Sequence, residues 1–128
     1  MHLFSQILIL FFILLMITEG NSSKILYAKD FSNGDTIQVQ PAQEFHFVFE
    51  GTGGTGATWY VESISDQKML ISEGQAKYHS GGFPGSKGTW TFTLVTSNKT
   101  GTVEVKFEYG RHWDDKPWDS KTLKFHIN

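Results

Sequence analysis

An all-β sandwich of about seven to eight short strands is the fold class that the sequence predicts. Apolar and polar residues alternate along much of the chain, as expected for strands with one face in a core and the other in water. Glycine, proline and asparagine separate these runs at positions typical of turns. No segment shows the spacing of an amphipathic helix. Because each sheet must bury its apolar face, we expect two sheets to pack on each other.

The alternation predicts individual strands and assigns their core faces. The clearest strands are residues 36–40, 44–50, 58–62, 89–95, 102–109 and 122–127. Residues 25–31 and 75–79 are weaker candidates, whereas residues 69–71 fit either a short strand or one helical turn. Trp59 and Trp90 fall on the apolar faces of their strands, so we expect both side chains in the core.

The first 20 residues are expected to be a signal peptide, which leaves residues 21–128 as a single domain. Residues 7–17 form an uninterrupted apolar run that is too short to span a bilayer. An uncleaved N-terminal anchor is the alternative. After cleavage we expect no stable membrane association and a location in the secretory pathway, either secreted or in lysosome-like or phagosome-like vesicles. Asn21 and Asn98 begin N-glycosylation sequons.

Charge and cysteine content exclude several classes of function. The formal net charge is −2, and removal of Glu19 with the signal peptide would leave 12 acidic residues against 11 basic ones. A nearly neutral chain gives no reason to expect nucleic acid or a membrane surface as a partner. The chain has no cysteines, so the sandwich must be stable without disulfides and cannot supply a thiol nucleophile. We expect a monomer without a cofactor.

The most distinctive stretch is a glycine-rich connection between two predicted strands, residues 51–57, which we call the first loop. Its spacing matches the dinucleotide-binding pattern G-x-G-x-x-G, which functions where a strand turns into a helix. Residues 58–61 are instead β-branched and aromatic and predict a strand, so nucleotide binding is not expected. Glycine allows a loop to curl tightly and to bring its backbone close to another surface.

Two further loops stand out: the second loop, residues 80–88, and the third loop, residues 110–119. The second loop is rich in glycine, and the third contains two tryptophans. In a sandwich whose strands alternate in direction, loops separated by an even number of strands emerge at the same end. If the short middle run supplies one strand, all three loops are expected at one end.

Motifs in these loops resemble those of the chagasin family of inhibitors of papain-like cysteine peptidases. The family's N-P-T-T-G aligns with Thr52, Gly53, Gly54, Thr55 and Gly56, with Trp59 as the aromatic residue that follows. G-x-G-G-T aligns with Gly85, Ser86, Lys87, Gly88 and Thr89. Arg-Pro-Trp aligns with Arg111, His112 and Trp113. The chain departs from the family pattern because Thr52 and Gly53 replace the Asn-Pro of the first motif, the second motif lacks one glycine, and His112 replaces the proline of the third.

The resemblance implies an immunoglobulin-like sandwich and a reversible, tight-binding inhibitor that is not an enzyme. In the implied mechanism, the first loop enters the peptidase cleft over the catalytic cysteine and the other two loops contact its walls. The implied peptidase-binding site consists of Thr52, Gly53, Gly54, Thr55, Gly56, Gly85, Ser86, Lys87, Gly88, Arg111, His112 and Trp113. Thr55 is compact enough for a narrow cleft, whereas Arg111 and Trp113 belong to residue types that dominate interface hot spots.

The competing hypothesis is a secreted carbohydrate-binding β-sandwich, in which exposed aromatic rings stack on sugars. Trp113, Trp118 and Tyr60 are the candidate rings. A flat aromatic platform on a sheet face would favour this function, whereas aromatic side chains at loop tips would favour the inhibitor.

Hydrolase and metal-binding functions are disfavoured. No nucleophile elbow is present. The resemblance also implies that His46 and His126 are surface residues without a catalytic role. His112, Asp114 and Asp115 lie close together in the third loop, but without the second histidine that a metal site of this kind would use. No metal site is therefore predicted.

Overall fold

Two β-sheets pack face to face in the computed structural model, which describes residues 24–52 and 54–128. The predicted signal peptide, the sequon at Asn21 and the loop residue Gly53 lie outside the described residues. No helix within the described part of the chain combines the length and the apolar character needed to cross a membrane. The prediction of an all-β sandwich without disulfides is confirmed.

One sheet, called the β7 sheet, is built around the long strand β7 (Lys87–Thr96). Its strands are β1 (Lys24–Tyr27), β3 (Glu44–Thr52), β7 (Lys87–Thr96), β5 (Leu70–Ser72) and β6 (Lys77–His79). The order is β1-β3-β7-β5, and β6 pairs with β7 beside β5. Strands β3 and β7 are antiparallel, whereas the edge strand β1 runs parallel to β3.

The other sheet contains β2 (Thr36–Val39), β4 (Thr58–Ile64), β8 (Gly101–Gly110) and β9 (Asp119–Ile127), and is called the β8 sheet. Its order is β2-β9-β8-β4. Strand β8 is antiparallel to both β4 and β9, and the edge strand β2 is parallel to β9. Each sheet therefore has one parallel edge strand next to an antiparallel centre.

The opening strand is shorter than the sequence indicated. Residues 25–31 were expected to be one strand, but β1 ends at Tyr27 and a 3-10 turn, Ala28–Asp30, follows. The ammonium group of Lys121 on β9 donates hydrogen bonds to the carbonyl oxygens of Ala28 at 2.7 Å and Phe31 at 2.6 Å. These contacts turn the chain away from the edge of the sheet and fasten it to the β8 sheet.

The ambiguous middle run, residues 69–71, contributes strand β5. Both β5 and β6 are antiparallel to β7, so they run in the same direction and act as one interrupted edge strand. This interruption explains why residues 24–52 and 54–128 contain nine strands where seven to eight were predicted. It also meets the condition under which the three loops share one end.

Aromatic side chains fill the space between the sheets and continue toward the end that carries the loops. The fully buried side chains include Phe45, Phe47, Phe107, Leu123 and Phe125. Trp59 and Trp90 are also buried, as predicted. The Trp59 ring stacks on Phe49 at a centroid distance of 4.2 Å and on Tyr109 at 5.3 Å. The loops are thus anchored directly on the core.

Candidate functional site

The first loop crosses from one sheet to the other, and the two remaining loops lie on either side of it. It leaves β3 in the β7 sheet and enters β4 in the β8 sheet. The second loop joins β6 to β7 within one sheet, and the third joins β8 to β9 within the other. The pairings Thr52–Lys87 and Thr58–Gly110 bring all three loops to the same end, as predicted.

Glycine conformation and a backbone anchor define the shape of the first loop. Gly54 and Gly56 have positive φ angles of 80° and 83°, which side chains rarely adopt. The carbonyl oxygen of Thr52 accepts a hydrogen bond from the Tyr109 hydroxyl at 2.8 Å. Gly54, Thr55 and Gly56 are exposed. The loop thus presents small, uncharged residues on a base that is tied to the core.

Gly56 lies against the third loop. A Cβ atom at this position would come within 2.7 Å of Cη2 of the Trp113 ring and 3.6 Å of the Arg111 side chain. A Cβ at Gly54, by contrast, would meet nothing within 4 Å. Gly56 therefore lets the first loop pack directly on Trp113, which itself remains 60% exposed.

Asp114 organises the third loop. Its carboxylate oxygen Oδ2 accepts hydrogen bonds from Nε of Arg111 and Nε1 of Trp118, both at 2.9 Å. The Arg111 guanidinium lies over the Trp118 ring at 4.8 Å and the Trp113 ring at 5.5 Å from their centroids. The hydrogen bond from Arg111, followed by that from Trp118, lowers the pKa of Asp114 from its ordinary value. These interactions link Arg111, Asp114 and Trp118 within the third loop.

The second loop is shorter than predicted because β7 begins at Lys87 and not at Thr89. Lys87 pairs with Thr52 and Gly88 pairs with Gly51, so both residues belong to the sheet. Gly88 is buried, and a Cβ there would come within 2.5 Å of the Tyr78 hydroxyl. This burial leaves Gly88 little surface with which to contact a partner.

The predicted site residues otherwise remain accessible. Among those that the structure describes, the residues with exposed or partly exposed surface are Thr52, Gly54, Thr55, Gly56, Gly85, Ser86, Lys87, Arg111, His112 and Trp113. Sequence reasoning missed the role of Asp114 and the exposed side chain of Phe83. The sequence spacing alone would have indicated the role of Asp114, because Asp114 follows Arg111 by three residues in a short loop.

The aromatic rings proposed for sugar binding do not form an uncovered platform. Trp118 is 48% exposed, but one of its faces is occupied by the Arg111 guanidinium. The Tyr60 hydroxyl donates a hydrogen bond to Oε1 of Glu108 at 3.1 Å, on the outer face of the β8 sheet. Burial, followed by this hydrogen bond, raises the pKa of Tyr60. Trp113 is the most exposed of the three candidate rings, and it lies in a loop.

Comparison with known protein families shows to which family this chain belongs. The model of the "Chagasin family peptidase inhibitor I42" matches residues 38–127, which include all three loops. The chain belongs to the chagasin family. It is a peptidase inhibitor and not an enzyme, as the motifs predicted. No curated protein sequence matches this chagasin-family inhibitor significantly.

Solved structures of similar fold include known inhibitors. The cysteine protease inhibitor EhICP2 from Entamoeba histolytica superposes with a TM-score of 0.62 at 21% identity, covering 82% of this chain and 95% of that one. Amebosin gives a TM-score of 0.63 at 22% identity, with coverage of 84% and 99%. PbICP-C, solved in complex with falcipain-2, gives 0.56 at 16% identity, with coverage of 83% and 98%. At these identities the superpositions establish the shared fold.

The lowered pKa of Asp114 predicts that inhibition is maintained in mildly acidic solution. A depressed carboxyl pKa means that the charged hydrogen bonds are present above the ordinary value of 3.8 and are lost only as the pH falls through the lowered one. We expect the contribution of Asp114 to the inhibition constant to be constant between about pH 5 and 7. Asp114→Asn should weaken inhibition roughly threefold to tenfold across that range, because Arg111 loses its charged acceptor.

The measurement is the inhibition constant of both proteins at several pH values, with a peptidase that is active throughout. Asp115→Asn is the matched control, since Asp115 is an exposed neighbour in the same loop. Equal effects of the two substitutions would contradict a specific role for Asp114.

Proposed function

We infer that the chain inhibits papain-like cysteine peptidases by inserting its first loop into the active-site cleft while the second and third loops contact the cleft walls. The observation that carries this proposal is the packing of Gly56 on Trp113, with the first loop placed between the other two. The narrow first loop, made of glycine and threonine and flanked by the second and third loops, is complementary in shape to a cleft. The relatives EhICP2, a cysteine protease inhibitor, and PbICP-C, which binds falcipain-2, support this target class.

The first loop can obstruct a catalytic cysteine without acting as a substrate. Thr55 is its largest side chain at the tip, and its Oγ1 accepts a hydrogen bond from the Ala57 amide at 3.3 Å. The compact, uncharged loop can approach the nucleophile closely without burying an unpaired charge. Its two ends are fixed in different sheets, so the loop is held on both sides before binding. Such preorganisation reduces the entropic cost of association.

The test is titration of papain activity with purified mature protein, followed by mass spectrometry after prolonged incubation. We expect reversible inhibition with a one-to-one end point and an uncut first loop. Thr55→Glu should strongly weaken inhibition because it buries a carboxylate at the interface, but it should leave the fold unchanged. Cleavage within residues 51–57 that parallels inhibition would show that the chain behaves as a slow substrate.

We also propose that the mature chain passes through the secretory pathway, to be secreted or retained in lysosome-like vesicles. The sequon at Asn98 supports this location, because Asn98 is exposed in the turn between β7 and β8. That turn lies at the opposite end of β7 from the second loop. A glycan there would leave the inhibitory loops free. Loss of a glycosidase-sensitive mobility shift in Asn98→Gln protein from its native cells would be the supporting result, whereas no shift in the wild type would contradict it.

A further inference from the structure

Phe83, in the second loop, is the most exposed of the large apolar side chains in the described part of the chain. Its side chain is 71% exposed, more than that of Trp113. Neither the family motifs nor the proposed mechanism uses it. A single exposed apolar residue is unremarkable on a soluble protein, so what matters is how this one is held and where it lies.

A closed turn holds Phe83 in place. The Ser86 amide donates a hydrogen bond to the Phe83 carbonyl oxygen at 3.2 Å, and the Ser86 hydroxyl donates to the same oxygen at 2.6 Å. Pro84 occupies the second turn position, and Gly85 has a φ of 79° at the third, which are the residues and the geometry of a type II turn. Since proline restricts the backbone, the ring is displayed on a rigid support.

The position of Phe83 is continuous with the inhibitory surface. The second loop and Gly54 of the first loop line one shared groove together with Tyr78. Trp113 lies on the other side of the first loop, against Gly56. One exposed aromatic side chain therefore flanks the central loop on the β7 sheet side and another on the β8 sheet side. Aromatic residues in such positions are typical of interface cores.

We propose that Phe83 is the apolar anchor of the second loop and enters an apolar pocket on the peptidase, on the cleft wall opposite the one that Trp113 contacts. This proposal rests on the proposed function and adds a specificity determinant to it. Peptidases with an apolar pocket at that place are inhibited tightly. Peptidases that present a polar or charged surface there are inhibited less well, because burying the ring against unpaired polar groups offers no gain.

The experiment measures inhibition constants against papain for the wild type, Phe83→Ala, Phe83→Leu and Phe83→Gln. We expect Ala and Gln to raise the inhibition constant at least about tenfold and Leu to raise it less than about threefold, because the pocket selects apolar volume. Ile71→Ala is the matched control. Ile71 is also an exposed apolar residue, but it lies on β5 and pairs with Val95 toward the opposite end of β7. Its substitution should change inhibition less than twofold, and no variant should alter the thermal unfolding midpoint.

A second papain-like peptidase, chosen because the wild type inhibits it at least tenfold more weakly, tests specificity. Phe83→Ala should raise the inhibition constant by a smaller factor against this enzyme than against papain. Equal losses against both enzymes, or equal inhibition by the Leu and Gln variants, would overturn the proposal. If Phe83→Ala inhibits papain normally while Thr55→Glu does not, the anchor is wrong and the proposed function stands. If the wild type fails to inhibit either peptidase, the proposed function itself fails.

Discussion

Gly56→Val is expected to raise the inhibition constant by on the order of a hundredfold. The substitution places a β-branched side chain at a φ of 83°, so the free loop relaxes away from this conformation and must recover it on binding, at a cost of about 1–2 kcal/mol. Its Cβ would also lie 2.7 Å from the Trp113 ring, which must move away from its contact position. Losing a central aromatic contact costs about 2 kcal/mol or more. Together these effects amount to about 3–4 kcal/mol, and 1.4 kcal/mol corresponds to tenfold.

Gly54→Val is the control for Gly56→Val. Its φ of 80° gives comparable backbone strain, but its Cβ would meet no neighbouring atom within 4 Å. The indole N–H resonance of Trp113 in the free inhibitor reports displacement of the ring. It should shift in Gly56→Val and not in Gly54→Val. Undisturbed resonances together with equal losses of inhibition would contradict the coupling between Gly56 and Trp113.

Trp113→Ala should weaken binding by about 2 kcal/mol or more, which is over tenfold in Kd. Because the side chain is 60% exposed, we expect the free energy of unfolding to change by less than about 0.5 kcal/mol. Inhibition assays and denaturant unfolding measure the two quantities separately. A marked loss of stability with unchanged affinity would show that Trp113 supports the fold and does not contact the peptidase.

Trp59→Ala provides the contrasting control. Trp59 is only 7% exposed and packs between Phe49 and Tyr109. Removing its ring leaves a large cavity, so a loss of about 3–5 kcal/mol in unfolding free energy is expected. The two tryptophans thus separate the part of the chain that stabilises the sandwich from the part assigned to binding.

Most of the fold prediction rests on the alternation of apolar and polar residues, because a side-chain period of two identifies the buried face of a strand directly. It placed Trp59 and Trp90 in the core, as observed. Alternation does not identify which strands pair. The parallel attachment of β1 to β3 and of β2 to β9 was therefore not predicted. Such edge pairings depend on long-range geometry that short runs do not encode.

The site was predicted from the order of three loop motifs, and what they missed lies in contacts between side chains. The hydrogen bonds from Arg111 and Trp118 to one Asp114 oxygen depend on the curvature of the third loop. The contact between Gly56 and Trp113 joins residues far apart in sequence. The turn from Phe83 to Ser86 differs from these contacts because its signal is local. Proline followed by glycine indicates a type II turn.

The first loop runs from one sheet to the other, so the width of this loop depends on how the whole sandwich packs. One end is fixed by Thr52 in β3 and the other by Thr58 in β4. The distance that the loop must bridge is set by the aromatic layer beneath it, where Phe49 and Trp59 stack. Core substitutions that alter the separation of the sheets would therefore alter the fit of the first loop to a peptidase, although the substituted residues do not contact the peptidase. Relatives could diverge in target range through interior residues, while the amino acids at their contact surfaces stay the same.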